Sequence, residues 1–153
     1  MTGPNPTDRG KLGTKRHALA DGQGIPLSIV ITAANTHDMN AAINKLNNIV
    51  VKRPSYKMCK PKQNLCLNKG YDFQGIENSV IKKGYLPYIR HREERVLTNH
   101  FHHPSIRWVV ERTNSSHNKF RKLLIRYEKK LENYFELVCL GFCILTYRKI
   151  TLG

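Results

Sequence analysis

Two apolar-patterned runs open the chain. Residues 14–20 are short and mixed, and Pro26–Ala33 reads P-L-S-I-V-I-T-A, rich in the β-branched side chains that suit a pleated surface. Asp21-Gly22-Gln23-Gly24 separates them with turn chemistry, so residues 14–33 are predicted to form a β-hairpin. Residues 1–13 carry Gly3-Pro4-Asn5-Pro6 and are predicted as loop. Beyond the hairpin, Ala42, Ile43, Leu46 and Ile49 or Val50 recur at helical spacing, with Thr36 or Asp38 placed to cap the helix. A basic loop containing Pro54 and Pro61 leads to a short apolar strand at 65–67. An amphipathic helix over 73–83 follows, stopped by Gly84, and then a strand over 85–89. Residues 14–89 therefore read β-β-α-β-α-β, an α/β arrangement.

The pattern then turns helical. A charged, His-rich stretch over 90–104 precedes Ser105, which is placed to cap a long helix. The apolar face of that helix would comprise Ile106, Val109, Val110, Thr113, His117, Phe120 and Leu124. Residues 131–147 are apolar nearly all round, the mark of a buried helix. The helical part is expected over 105–149. A chain of 153 residues suffices for a single core. No apolar run approaches the ~20 residues of a membrane span. The polar beginning has no apolar segment of the kind a secretory leader needs.

Charge changes the picture most. The chain holds 26 Lys and Arg against 11 Asp and Glu, a formal net charge of +15. Such a surface attracts polyanions, with nucleic-acid phosphate the usual partner. Four cysteines, Cys59, Cys66, Cys139 and Cys143, show no paired-ligand spacing for zinc. With no secretory context, they are expected to be reduced thiols in a cytoplasmic, nucleoid-associated protein. His100, His102 and His103 read as a polar loop, His37 as part of a helix cap, and Asp21 as a turn residue. Trp108, the single tryptophan, fits either core packing or stacking on a base.

One motif is more specific. Arg107-Trp108-Val109-Val110-Glu111-Arg112-Thr113, followed by Asn118-Lys119-Phe120-Arg121-Lys122-Leu123, closely resembles the C-terminal signature of insertion-sequence transposases of the IS-five group, in the DDE superfamily. Three further stretches resemble the same family in the same order. They are residues 3–10 (G-P-N-P-T-D-R-G), 65–72 (L-C-L-N-K-G-Y-D), and Tyr127-Glu128-Lys129-Lys130 with Asn133-Tyr134. The resemblance implies an RNase H-like fold, a mixed sheet flanked by helices with a helical C-terminus. It also implies DNA cleavage and strand transfer with Mg²⁺ or Mn²⁺ held by three carboxylates. On it, Glu111 corresponds to the third acid and is the catalytic and metal-binding candidate.

Two departures qualify that expectation. The second acid corresponds to Asn68, which keeps a carbonyl oxygen but has no charge. In the family, the first acid lies on a central strand upstream of the G-P-N-P segment, so residues 1–153 are expected to be a partial catalytic domain without it. Reduced metal binding and no strand transfer by the chain alone are expected. Arg107, Arg112, Lys119, Arg121, Lys122 and Arg126 are the candidate DNA-phosphate contacts. The expected partners are transposon-end and target DNA, together with an upstream-frame product or a full-length transposase. The alternative is a noncatalytic DNA-binding protein that occupies transposon ends or complements another transposase chain.

Overall fold

Side chains alternate between the two faces of a strand, and in the opening hairpin both faces find partners. The computed structural model describes residues 2–51, 62–89 and 107–152. Its elements are β1 (Gly3–Pro4), β2 (Leu12–Ala20), β3 (Pro26–Ala33), α1 (Asp38–Asn47), β4 (Asn64–Leu67), α2 (Gln74–Lys82), β5 (Leu86–Ile89), α3 (Arg107–Asn118), α4 (Arg121–Leu124) and α5 (Leu131–Leu152). A single 3₁₀ turn, Lys69–Tyr71, joins β4 to α2. The result is a mixed α/β architecture.

β2 and β3 pair antiparallel from Thr14↔Ala33 to Leu19↔Ser28, with a register shift at Leu19/Ala20. The turn follows from Asp21, whose Oδ1 accepts the N–H groups of Gln23 at 3.0 Å and Ile25 at 2.8 Å. The expected loop over 1–13 is corrected in part. Gly3 and Pro4 pair with Gly13 and Leu12, so β2 begins at Leu12 rather than at 14. β4 and β5 form a separate parallel pair. Parallel strands need a crossover, which α2 supplies.

On one face of the hairpin, Ala18 and Ile29 pack with Leu123, Tyr134, Val138 and Phe142 of α4 and α5. On the other, Leu19 packs against a core of Ala42, Leu46, Leu65, Tyr71, Ile76 and Val80. Consecutive β2 residues thus serve different cores. His37, rather than Thr36 or Asp38, caps α1, its Nδ1 accepting Met39 N–H at 3.3 Å.

Two helical expectations are corrected. The long helix breaks after Asn118, and α4 begins only at Arg121. Phe120 sits in the break, packed against the first core, and the change of direction buries Leu123 while leaving Leu124 exposed. α5 is not buried all round. Tyr134, Val138, Gly141 and Phe142 form its one buried stripe, whereas Leu140 is 57% and Tyr147 68% exposed. The helix lies at the outside of the packing, where only one face meets protein. Among the described residues, no helix is long and apolar enough to cross a membrane. Cys66, Cys139 and Cys143 are free thiols, while Cys59 and the His100, His102 and His103 loop lie outside the described residues.

At Gly141 the backbone of α5 packs directly against the His117 ring of α3 and the Leu123 side chain of α4. A Cβ there would stand 2.9 Å from His117 Nε2 and 2.7 Å from Leu123 Cδ1. Ala in a helix interior gains about 1 kcal/mol over Gly. Overpacking against a ring that cannot move away costs ~1–3 kcal/mol. Gly141→Ala is therefore expected to lower stability by up to about 2 kcal/mol in urea unfolding. A stabilised variant would contradict the packing described.

Candidate functional site

The position of α3 rests on polar ties to other elements. Buried His117, 1% exposed, lies with Nδ1 2.6 Å from Arg16 Nη1 and Nε2 3.1 Å from the Val138 carbonyl. Arginine can only donate, so Nδ1 accepts and Nε2 carries the proton toward Val138. Arg16 also donates to Asn118 Oδ1. In the middle of α3, the Thr113 hydroxyl lies 3.0 Å from the Gly24 carbonyl, fixing the helix to the β2–β3 turn. Burial pulls the His117 ring below its ordinary pKa. The Val138 carbonyl opposes that shift, and the Arg16 charge reinforces it.

This placement leaves Glu111 exposed on α3. Arg112 is exposed too, with its guanidinium 4.9 Å from the Trp108 ring centre. Trp108 is 53% exposed, so it is no core residue. Lys119, Arg121 and Lys122 are exposed around the α3–α4 break. Arg126 differs: it is half-buried, donates to the carbonyls of Glu128 at 2.9 Å and Lys129 at 3.1 Å, and lies over the Tyr134 ring. Its guanidinium shapes the approach to α5. The side chain of Arg107 lies outside the described residues.

Asn68 stands exposed at the end of β4, and its Oδ1 accepts Gly70 N–H at 3.0 Å. The following 3₁₀ turn is anchored by Tyr71, whose hydroxyl accepts from Lys45 Nζ at 2.6 Å in the interior. Tyr71 of the K-G-Y-D stretch is thus a structural anchor for the turn that presents Asn68. Sequence reasoning missed Lys45, because a lysine on an amphipathic helix is ordinarily solvated. Burial lowers its pKa to about 8, the charge of Asp38 opposing and that of Lys15 assisting.

A second polar group lies between β2 and α1. Asp38 pairs with Lys15 and sits 3.6 Å from His17 Nδ1, while His17 Nε2 is 2.7 Å from the Thr32 hydroxyl. Burial alone would raise the Asp38 carboxyl. Lys15, through its charge and hydrogen bond, outweighs it with help from His17 and Lys45, so the pKa falls below the usual carboxylate value. Burial also drives His17 down to about 4, against the pull of Asp38 and with the help of Lys45 and Lys15.

Divalent metals need several hard oxygen ligands. Among the described residues, no three His, Cys, Asp or Glu side chains gather into a metal-binding group. Glu111 offers one carboxylate, and the neutral Asn68 oxygen already accepts a backbone N–H. The described donors do not fit a two-metal centre.

Residues 2–146 match the family described as Transposase DDE domain. The chain is also 31% identical over 155 residues to the Burkholderia cepacia protein "Putative transposase for insertion sequence element IS402", covering 97% of this chain and 70% of that one. The chain belongs to the DDE transposase family of insertion sequences, a family of DNA transposition that generally uses divalent metal ions. No solved structure matches it.

The polar group on β2 makes a pH prediction. In the folded chain His17 resists protonation to about pH 4, whereas unfolded it accepts a proton near 6.5. Protons therefore favour the unfolded chain across that window, and stability falls as pH drops from 6.5 to 4, by up to about 3 kcal/mol from this residue. The lowered Asp38 carboxyl adds a further loss at lower pH. Urea unfolding across this range is expected to be shallower in pH for His17→Gln, and an unchanged slope would contradict it.

Proposed function

We propose that this chain serves DNA transposition as a DDE-type transposase segment that holds DNA but is impaired in metal-dependent cleavage. The observation that carries the proposal is the family match over residues 2–146 together with Glu111 standing exposed on α3 within R-W-V-V-E-R-T. The uncharged Asn68 at the second acid supports impairment. It attracts a divalent cation far less than a carboxylate, and its oxygen is engaged by Gly70.

We also read the fold as RNase H-like. An antiparallel hairpin and a parallel pair joined by a helical crossover suit that class. Mg²⁺ or Mn²⁺ would be the metal, with Glu111 as the carboxylate this chain contributes. Arg112, Lys119, Arg121 and Lys122, exposed along α3 and α4, would meet DNA phosphates, with the Arg107 position beside them. A cytoplasmic, nucleoid-associated location would follow from such binding.

Asn68 also favours a second reading. A chain with a full basic surface and an incomplete acid set would occupy transposon ends without cutting them, or complement an upstream-frame product or a full-length transposase.

The purified chain is expected to bind duplex DNA and to produce no Mg²⁺- or Mn²⁺-dependent nicking of supercoiled plasmid. Nicking that Glu111→Gln abolishes would overturn the impaired reading. Absence of DNA binding at low salt would overturn the reading as a whole.

A further inference from the structure

Between α3, the last turns of α5 and the β2–β3 turn lies a cleft of about 240 Å³. Arg112, Arg148 and Lys149 bound it together with the hydroxyls of Thr113 and Ser116, and among the described residues no acid contributes to its wall. At ~30 Å³ per water, the space equals about eight waters, ample for a tetrahedral phosphate group.

The cations are brought together by the hairpin turn. Arg112 Nη2 donates to the Gln23 carbonyl at 3.3 Å, and Lys149 Nζ donates to the same oxygen. Two full positive charges thus share one neutral acceptor, leaving most of their donor capacity for another partner. Gly24 makes this approach possible. Its φ is +82°, and a Cβ there would stand 2.7 Å from Lys149 Nζ and 3.0 Å from Thr113 Oγ1.

A more ordinary account is that Arg148 and Lys149 merely complement the C-terminal end of the α5 dipole. That end carries about half a negative charge. Three cations exceed it, and Arg112 comes from a different helix.

We propose that this cleft seats a phosphodiester of the DNA backbone, gripped by Arg112, Arg148 and Lys149 where the middle of α3 meets the last turns of α5. The proposal rests on the DNA-binding reading above and adds to it a site on α5, outside the R-W-V-V-E-R-T motif. The exposed Trp108 ring contacts Arg112 of this site and through it serves as a reporter.

The test is fluorescence anisotropy of labelled duplex DNA with the full chain across a salt series. The doubly substituted Arg148→Gln/Lys149→Gln chain is expected to bind about tenfold or more weakly at low salt. Its salt dependence should drop by about two phosphate contacts. Lys11→Gln/Lys82→Gln removes the same charge elsewhere and is expected to do far less. The charge-keeping Arg148→Lys/Lys149→Arg chain should recover most of the binding. The DNA-induced change in Trp108 emission should persist in the Lys11/Lys82 variant and diminish in the cleft variant. Should the double variant melt early, Arg148→Gln alone decides by the same criterion, since that side chain is exposed. Equal losses in the cleft and Lys11/Lys82 variants would overturn the cleft and leave the DNA reading intact. Failure of the unaltered chain to bind DNA would overturn both.

Discussion

The contact on which the described architecture depends is a neutral histidine held between an arginine and a carbonyl. His117 accepts from Arg16 on β2 and donates to Val138 on α5, and its ring stacks on Phe142 with centroids 4.2 Å apart. One side chain therefore ties the hairpin, α3 and α5 together in the interior. A proton on Nδ1 would set two donors face to face in a space that water does not reach, and an unmet buried group of this kind costs ~1–3 kcal/mol. Gly141 is the complement of this arrangement, because only a residue without a side chain lets α5 close on the ring.

The functional surface follows from that clamp. With His117 fixing the C-terminal end of α3 and Thr113 its middle, the helix presents Glu111 and Arg112 outward and carries Val109 and Thr113 inward. The strand period does the corresponding work on β2. Arg16 and Ala18 serve the α3–α5 side, while Lys15, His17 and Leu19 serve the α1 side. The hairpin thus links two separately packed cores, and the polar residues on each of its faces meet partners from one core only.

The hairpin was legible in the sequence because turn chemistry is local: Asp21 and Gly24 do in the structure what their residue types allow. Glu111 and the R-W-V-V-E-R-T run were legible as a motif, and His117 was assigned to the inward face of its helix. Its partner Arg16 was not, being 101 residues away. The break at Lys119–Phe120 carries no Gly or Pro to announce it, and it arises because Phe120 turns into the core. The burial of Lys45 was hidden for a similar reason, since its partner Tyr71 lies beyond α1 and β4. α5 misled in the opposite direction. Its composition is apolar all round, but composition does not say which faces meet protein. The cleft with Arg148 and Lys149 could not be read at all, because it exists only where the turn, α3 and α5 converge.

On the proposed reading, in which neutral Asn68 stands at the second acid position, this DDE family chain with its exposed basic surface is better equipped to hold DNA than to cut it. That surface depends on α3 staying where His117 holds it. The most direct test is the protonation state of the His117 ring, read from its ¹⁵N chemical shifts in the folded chain at pH 6.5. A predominantly neutral ring protonated on Nε2 is expected, at a pH where an ordinary histidine is half charged. A ring half charged or more in the intact fold, or one protonated on Nδ1, would contradict it.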